Sequence, residues 1–325
     1  MLAFVLVAVS SAVASAAPQC PDAVLCAQQC QQGNANACID LAWRHEHGQE
    51  TPANVIRAIP LYQRACDLGA GLGCVDLGYL YGTGRGVARD TQKAAALYEK
   101  ACDRGALLGC TNLGDLVDRG DGVAKDEERA EVLHKRACDG GVALGCTNEG
   151  IHFGRRGDHT GAAALHQKAC SGGAELGCAN LGWAYENGKG RVQDAAAAAA
   201  LYKRACDEGS GLGCNNYGWM NQNGTGTEKN ETLAFNSYVK ACDAGEELGC
   251  ANLGWCHDHG IGTVVDRARA TAAYEKGCDL GSGNACRNLA ILREPDDRAA
   301  AITLYARGCA LADAPSCDAQ KRMAP

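Results

Sequence analysis

Eighteen of the 21 cysteines in this 325-residue chain form nine pairs with seven residues between partners. Cys30 goes with Cys38, Cys66 with Cys74, Cys102 with Cys110, Cys138 with Cys146, Cys170 with Cys178, Cys206 with Cys214, Cys242 with Cys250, Cys278 with Cys286, and Cys309 with Cys317. The first members advance by 36 residues in six of eight steps, by 32 from Cys138 to Cys170 and by 31 from Cys278 to Cys309. A fixed period of this size calls for a stack of small supersecondary units, not one closed globule. Such a stack grows by addition, so the chain length does not by itself require two domains.

The stretch from Cys74 to Cys110 shows what one unit contains. Apolar residues from Cys74 to Tyr81 recur at helical spacing and stop at Gly82, Gly84 and Gly86. Asp90 then stands where a helix N-cap belongs, ahead of an Ala- and Leu-rich second helix. Lys100 near its end suits the negative pole of the helix dipole. Gly105, three residues past Cys102, suits a left-handed C-terminal cap. Each unit therefore reads as helix A, a glycine turn, helix B and a short turn into the next helix A. The frame repeats from Cys110, Cys178, Cys214 and Cys250, in diverged form from Cys38, and four residues shorter from Cys146, with the deletion in the A–B turn. Eight helix pairs are expected over residues 38–308. A capping half-repeat at 17–37 precedes them and a cap and tail at 309–325 follow.

The cysteine spacing also speaks to redox state. Within one helix, residues eight apart lie about 12 Å from each other, beyond disulfide reach. The paired cysteines end one helix B and begin the next helix A, where the chain reverses, so all eighteen are expected in disulfides, out to Cys286 and Cys317 at the far end. Zinc sites favour a two-residue spacing, and neither a metal nor a cofactor is implied. Cys20, Cys26 and Cys256 fall outside the frame. Cys256 is either free or joined to one of the other two.

Regular disulfides persist in oxidising compartments. The opening MLAFVLVAVSSAVASAAPQC reads as a signal peptide over residues 1–16, with cleavage at Ala14-Ser15-Ala16. The expected destination is secreted or periplasmic. No later stretch has the roughly 20 apolar residues of a membrane span. A net charge of −7 and a pI near 5.6 offer no footprint for nucleic acid. The chain is expected to act as a monomer.

The string L-G-x-x-Y-x-x-G-x-G-V-x-x-D followed by K-A-x-x-L-Y-x-K-A, over residues 77–101, resembles the Sel1-like repeat, a relative of the tetratricopeptide repeat. The cysteine pairing resembles the secreted, bacterial cysteine-rich branch of that family. The resemblance covers roughly residues 26–317. It implies an all-α, right-handed α/α superhelix of disulfide-stapled pairs that acts as an adaptor or scaffold. Some cysteine-rich members have been assigned penicillin binding or β-lactamase activity. A mitochondrial relative assists respiratory-complex assembly. A hydrolase of β-lactam type and an envelope assembly or structural protein therefore stand as alternatives.

On a helical wheel, Cys74, Leu77, Gly78 and Tyr81 form one face, and Asp76 and Tyr79 point away from it. All four tryptophans, Trp43, Trp183, Trp219 and Trp255, occupy the register of Tyr79. The register of Asp76 is held by Asn112, Asn148, Asn180, Asn216 and Asn252. If helix A lines the concave surface, these residues are candidates to hold an extended peptide or a partner protein. The amides would pair its backbone while the rings pack on its side chains. The same residues would serve equally as mortar between units.

Ser237-Tyr238-Val239-Lys240 matches the S-x-x-K of serine β-lactamases. Ser237, however, sits where other units have Leu, and Lys240 belongs to a row of basic residues present in every helix B. No catalytic residue is assigned. Cys256, His257, Asp258 and His259 form a polar cluster, but histidines two apart fall on different helix faces.

Overall fold

In the computed structural model, residues 20–49 and 53–323 are described, and the signal-peptide segment 1–16 lies outside them. The described residues form eighteen α-helices and no strand. They are α1 (Ala23–Gln31), α2 (Ala35–His47), α3 (Val55–Asp67), α4 (Gly71–Thr83), α5 (Thr91–Asp103), α6 (Leu107–Arg119), α7 (Glu127–Asp139), α8 (Ala143–Arg155) and α9 (His159–Ser171), followed by α10 (Glu175–Asn187), α11 (Ala195–Asp207), α12 (Gly211–Asn223), α13 (Glu231–Asp243), α14 (Glu247–His259), α15 (Arg267–Asp279), α16 (Gly283–Arg293), α17 (Arg298–Ala310) and α18 (Ala314–Met323). Seven pairs, α2/α3, α4/α5, α6/α7, α10/α11, α12/α13, α14/α15 and α16/α17, pack closely, α8 and α9 come between the third and fourth in chain order, and the shorter α1 and α18 stand at the ends. By contacts the chain divides into two compact units, 1–149 and 150–325, each an α/α solenoid of successive pairs.

Local chemistry sets the boundaries. Every helix B from α3 to α17 starts on an Asp or Asn whose carboxylate or amide oxygen accepts a backbone N–H of the first turn; Asp90 accepts from Lys93 at 2.9 Å. The A helices from α2 to α6 and from α10 to α14 end on a left-handed glycine, such as Gly84 at φ 74°. The B–A turns are three residues long. Their central glycine is also left-handed, until the last turn puts Ala312 there at φ 64°. The four-residue deletion falls where expected: α8 and α9 are joined by residues 156–158, against 84–90 between α4 and α5.

All nine framed pairs are disulfides across the B–A turns, with Cα–Cα distances of 4.3 to 4.7 Å. The series opens with Cys30 bonded to Cys38, between α1 and α2. It closes with Cys278 bonded to Cys286, between α15 and α16, and Cys309 bonded to Cys317, between α17 and α18. The last bridge therefore ties the terminal helix to the stack, although its turn lacks the glycine of the others. A tenth bridge joins Cys20 to Cys26, and Cys256 is free and buried. That settles the three cysteines which spacing left open.

Two further contacts repeat from pair to pair. The basic row on the B helices caps the preceding B helix: Arg64, Arg136, Arg204 and Arg307 donate to the carbonyls of Gln31, Cys102, Cys170 and Cys278 at 2.8 to 3.0 Å. These carbonyls carry the negative end of the helix dipole, so cation and pole match. The second contact is inside the pair. A buried ring of helix B (Tyr98, Tyr202, Tyr238 or Tyr274) packs on a glycine of its own helix A, with no room for a β-carbon between. None of the described helices is long and apolar enough to cross a membrane.

Candidate functional site

The aromatic register of helix A faces outward, most openly in the second unit. Trp183 on α10, Trp219 on α12 and Trp255 on α14 are 46%, 45% and 42% exposed. Each lies in the same place on consecutive A helices that also touch one another directly. Ile291 continues the column on α16 at 52% exposure. Exposed indoles at a constant register are uncommon, because a tryptophan usually buries most of its ring. In the first unit Trp43 and Tyr79 are half-buried, and Asp115 takes the same register on α6.

The residue four positions on holds the helix beneath each ring. The Asn187 and Asn223 amides donate to the carbonyls of Trp183 and Trp219 at 3.0 and 2.8 Å. His47 and His259 make the corresponding contact with the carbonyls of Trp43 and Trp255 and stack on the indoles, at 4.5 and 3.5 Å between ring centres. The rings are thus held on an ordered backbone.

The Asp/Asn register is placed differently from the wheel's outward direction. Asp76 and Asn148 are buried, and Asn112, Asn180, Asn216 and Asn252 are half-buried. A helix in a stack is packed on both flanks, and this register meets the preceding pair. The Asn112 and Asn216 amides reach the hydroxyls of Tyr98 and Tyr202. Asn252 Nδ2 donates to Asn215 Oδ1 at 2.8 Å. Asn148 Nδ2 donates to Asp115 Oδ1 at 2.7 Å, and that same oxygen lies 3.1 Å from His134 Nε2. These amides form the joints beside the tryptophans.

Asp76 shares its register with Asp40 and stands where the later pairs have Asn. Burial first, and the nearby Glu46 carboxylate second, push its carboxyl up to about 7. Glu46 itself accepts the Tyr62 hydroxyl at 2.9 Å and pairs with Arg85 at 2.7 Å. In the second unit His166 stands in the tyrosine register. Its Nδ1 is buried without a hydrogen-bond partner, and burial holds its pKa down to about 4.

The S-x-x-K residues do not form a nucleophile and base. Ser237 is buried and its hydroxyl donates to the Leu233 carbonyl at 2.8 Å. Lys240 is exposed, with Nζ 3.9 Å from the Asp207 carboxylate, in its place in the basic row. In the polar cluster on α14, Cys256 and His257 turn inward, His257 edge-on to Phe235, while His259 lies outside on Trp255. Sequence reasoning missed the Tyr-to-carboxylate contacts of Tyr62 with Glu46 and Tyr202 with Glu186. The available signal was an acidic or amide residue three positions after the aromatic one in several units.

A family model described as the Sel1 repeat matches residues 35–69, 71–105, 107–142, 176–210, 211–246 and 248–282. No curated protein matches the chain. Among solved structures, a Sel1 repeat protein from Oxalobacter formigenes is 20% identical with a TM-score of 0.58, over 93% of this chain and 90% of that one. A protective antigen present in uropathogenic Escherichia coli strains, displaying an SLR fold, is 24% identical with a TM-score of 0.59 over 91% of this chain. The match spans 65% of that antigen's length. These two likenesses concern the fold.

Proposed function

Since the chain belongs to the Sel1 repeat family, we propose that it is an exported scaffold that binds a peptide or partner protein on its helix-A face, taken as the concave side of each unit. Ten disulfides indicate an oxidising, extracytoplasmic environment. The leader-like opening supports delivery there as a secreted or periplasmic protein. The observation that carries the binding role is the column of Trp183, Trp219 and Trp255, each left more than two-fifths exposed on a rigid backbone. Tryptophan is enriched among residues that dominate binding energy at interfaces. A cross-linked stack loses little conformational entropy on binding, so its affinity rests on contacts already in position.

A photo-crosslinking side chain at position 219, compared with one at the exposed Asn236 on α13, tests this in the producing cell with the intact oxidised chain. The reading expects a discrete adduct with one polypeptide from position 219, absent from position 236. Adducts only from position 236, or none from either, would refute a helix-A binding face.

A further inference from the structure

The tryptophan column is accompanied by uncompensated negative charge. Helices α10, α12 and α14 contain four carboxylates, Glu175, Glu186, Glu247 and Asp258, and no Lys or Arg. None of the four forms an ion pair with Lys or Arg among the described residues. Glu186 and Asp258 each follow a tryptophan by three residues, about 60° around the helix and on the same side. Glu186 accepts the Tyr202 hydroxyl at 2.7 Å, and Asp258 lies 3.7 Å from His259. Both are partly exposed, beside the indoles. The basic row of the B helices is directed to carbonyls and carboxylates of the preceding B helix, away from this face. On α16 the pattern ends: Arg287 pairs with Asp313 and Arg293 with Glu275.

Spacing adds a second constraint. Adjacent packed helices stand about 8–10 Å apart, which sets the step of the tryptophan column. A chain in polyproline II conformation has three residues per turn and a rise of about 3.1 Å, so every third side chain returns to one face after roughly 9 Å. A β-strand returns every second side chain after about 6.6 Å and falls out of step. A guanidinium also suits the two outer rungs, Trp183 with Glu186 and Trp255 with Asp258, since it stacks on an indole face and pairs with a carboxylate; at the middle rung Trp219 has Gln222, whose amide oxygen can accept from the same group.

We infer that the ligand of this face is a basic segment of a partner protein in polyproline II conformation, with arginines at every third residue lying on Trp183, Trp219 and Trp255. This rests on the helix-A binding role proposed above and specifies the chemistry of its partner.

The test uses the full oxidised chain and fluorescein-labelled synthetic peptides of about 15 residues in a proline-rich background. One carries Arg at every third position, one Glu at the same positions, and one Arg at every second position. Anisotropy at low salt and at about 0.15 M salt reads affinity and screening. The third-position Arg peptide is expected to bind at least about tenfold tighter than the other two, and to weaken with salt. Trp219→Ala should cost it about tenfold. The double variant Glu186→Gln/Asp258→Asn, which keeps each side chain's size and an acceptor for Tyr202, should cost about threefold or more. Melting temperatures of all variants separate lost contacts from lost folding. Equal binding of Arg and Glu peptides, no binding of any peptide, or indifference to these substitutions in folded variants would overturn the inference. If position 219 still crosslinks a partner in the cell, the binding face stands and only its basic, polyproline character falls.

Discussion

The ring of Tyr202 packs on Gly182 so closely that a β-carbon at residue 182 would sit 2.9 Å from two ring carbons. Tyr202 is fully buried, and its hydroxyl reaches Glu186 of its own pair and Asn216 of the next. One side chain therefore sets the closeness of α10 to α11 and the join to α12. In the first pair Ala42 stands in the glycine register near Tyr62, so a single methyl is accommodated by a small shift of the helices. Gly182→Ala should then cost about 1 kcal/mol, and Gly182→Val about 3 kcal/mol, because the branched side chain has nowhere to go. Guanidinium unfolding of the oxidised chain measures both. Equal stabilities for the two variants would mean that the ring is not confined as described.

With twenty cysteines bridged and Cys256 left over, thiol chemistry has a sharp expectation. Unfolded in denaturant without reductant, the chain should titrate one thiol. In the native state it should titrate almost none, since Cys256 is buried and burial pushes its thiol up to about 12. Each framed bridge closes a loop of about nine residues, worth roughly 2.5 kcal/mol in the chain-entropy picture. Reductant should therefore lower the melting temperature steeply. More than three thiols in the unreduced, unfolded chain would contradict the pairing.

Much of this architecture could be read from the amino-acid order alone, because its causes are local. The period, the Asp and Asn caps and the left-handed glycines each depend on a few neighbouring residues, so α5 begins after Asp90 as expected. What was not legible depends on packing between units. A helical wheel knows one helix, and it sent Asp76 outward. In the stack that register is closed over by the preceding pair, and Asp76 is 8% exposed. The aromatic register stays open in the second unit, at Trp183, Trp219 and Trp255, and is half-closed at Trp43 and Tyr79 in the first. The His134–Asp115–Asn148 contacts also had a faint trace. The one helix A with Asp in the aromatic register faces a helix B with His in the tyrosine register, a paired exchange visible only once the units are aligned.

Asp76 makes the stability of the first unit depend on pH. Its carboxyl is raised to about 7 in the folded state, against an ordinary value near 4, so between these values the native chain holds a proton that the unfolded chain has lost. Its contribution is full at pH 4, falls as pH rises toward 7 and is gone above it. Asp76→Asn, which installs the residue of the following pair, should stabilise the chain at pH 8 by roughly 1–3 kcal/mol and hardly at all at pH 4. Denaturant midpoints at the two pH values decide the matter. A gain independent of pH would point to a packing effect in place of the buried charge.

His166 works in the opposite direction in the second unit. Burial holds its pKa down to about 4, so between there and 6.5 the unfolded chain binds a proton that the native chain does not. Stability from this site is present above pH 6.5 and is lost as pH falls toward 4. His166→Phe keeps a ring in contact with Gly150 and removes the titration. The variant should lose less stability than the parent between pH 7 and pH 4.5, measured by thermal unfolding. An identical acid slope in both proteins would assign the acid sensitivity to other groups.

Trp219 and Trp255 separate a binding surface from mortar. Both rings are more than two-fifths exposed and lie outside the core clusters, and among the described residues neither indole makes an inter-pair hydrogen bond like that of Asn252. Truncating a half-exposed ring outside the core costs on the order of 1 kcal/mol, which shifts the melting temperature of a chain of this size only slightly. Trp219→Ala/Trp255→Ala should therefore leave the melting temperature within a few degrees of the parent while abolishing partner binding. Asn216→Ala, which breaks a joint at the Tyr202 hydroxyl, should show the reverse, with stability lowered by about 1 kcal/mol and the indoles still in place. Acrylamide quenching gives an independent reading: the parent's emission should be readily quenched, and a bound partner should protect it. If the double tryptophan variant instead melts far below the parent, the indoles join the repeats, and the column is part of the scaffold's own packing.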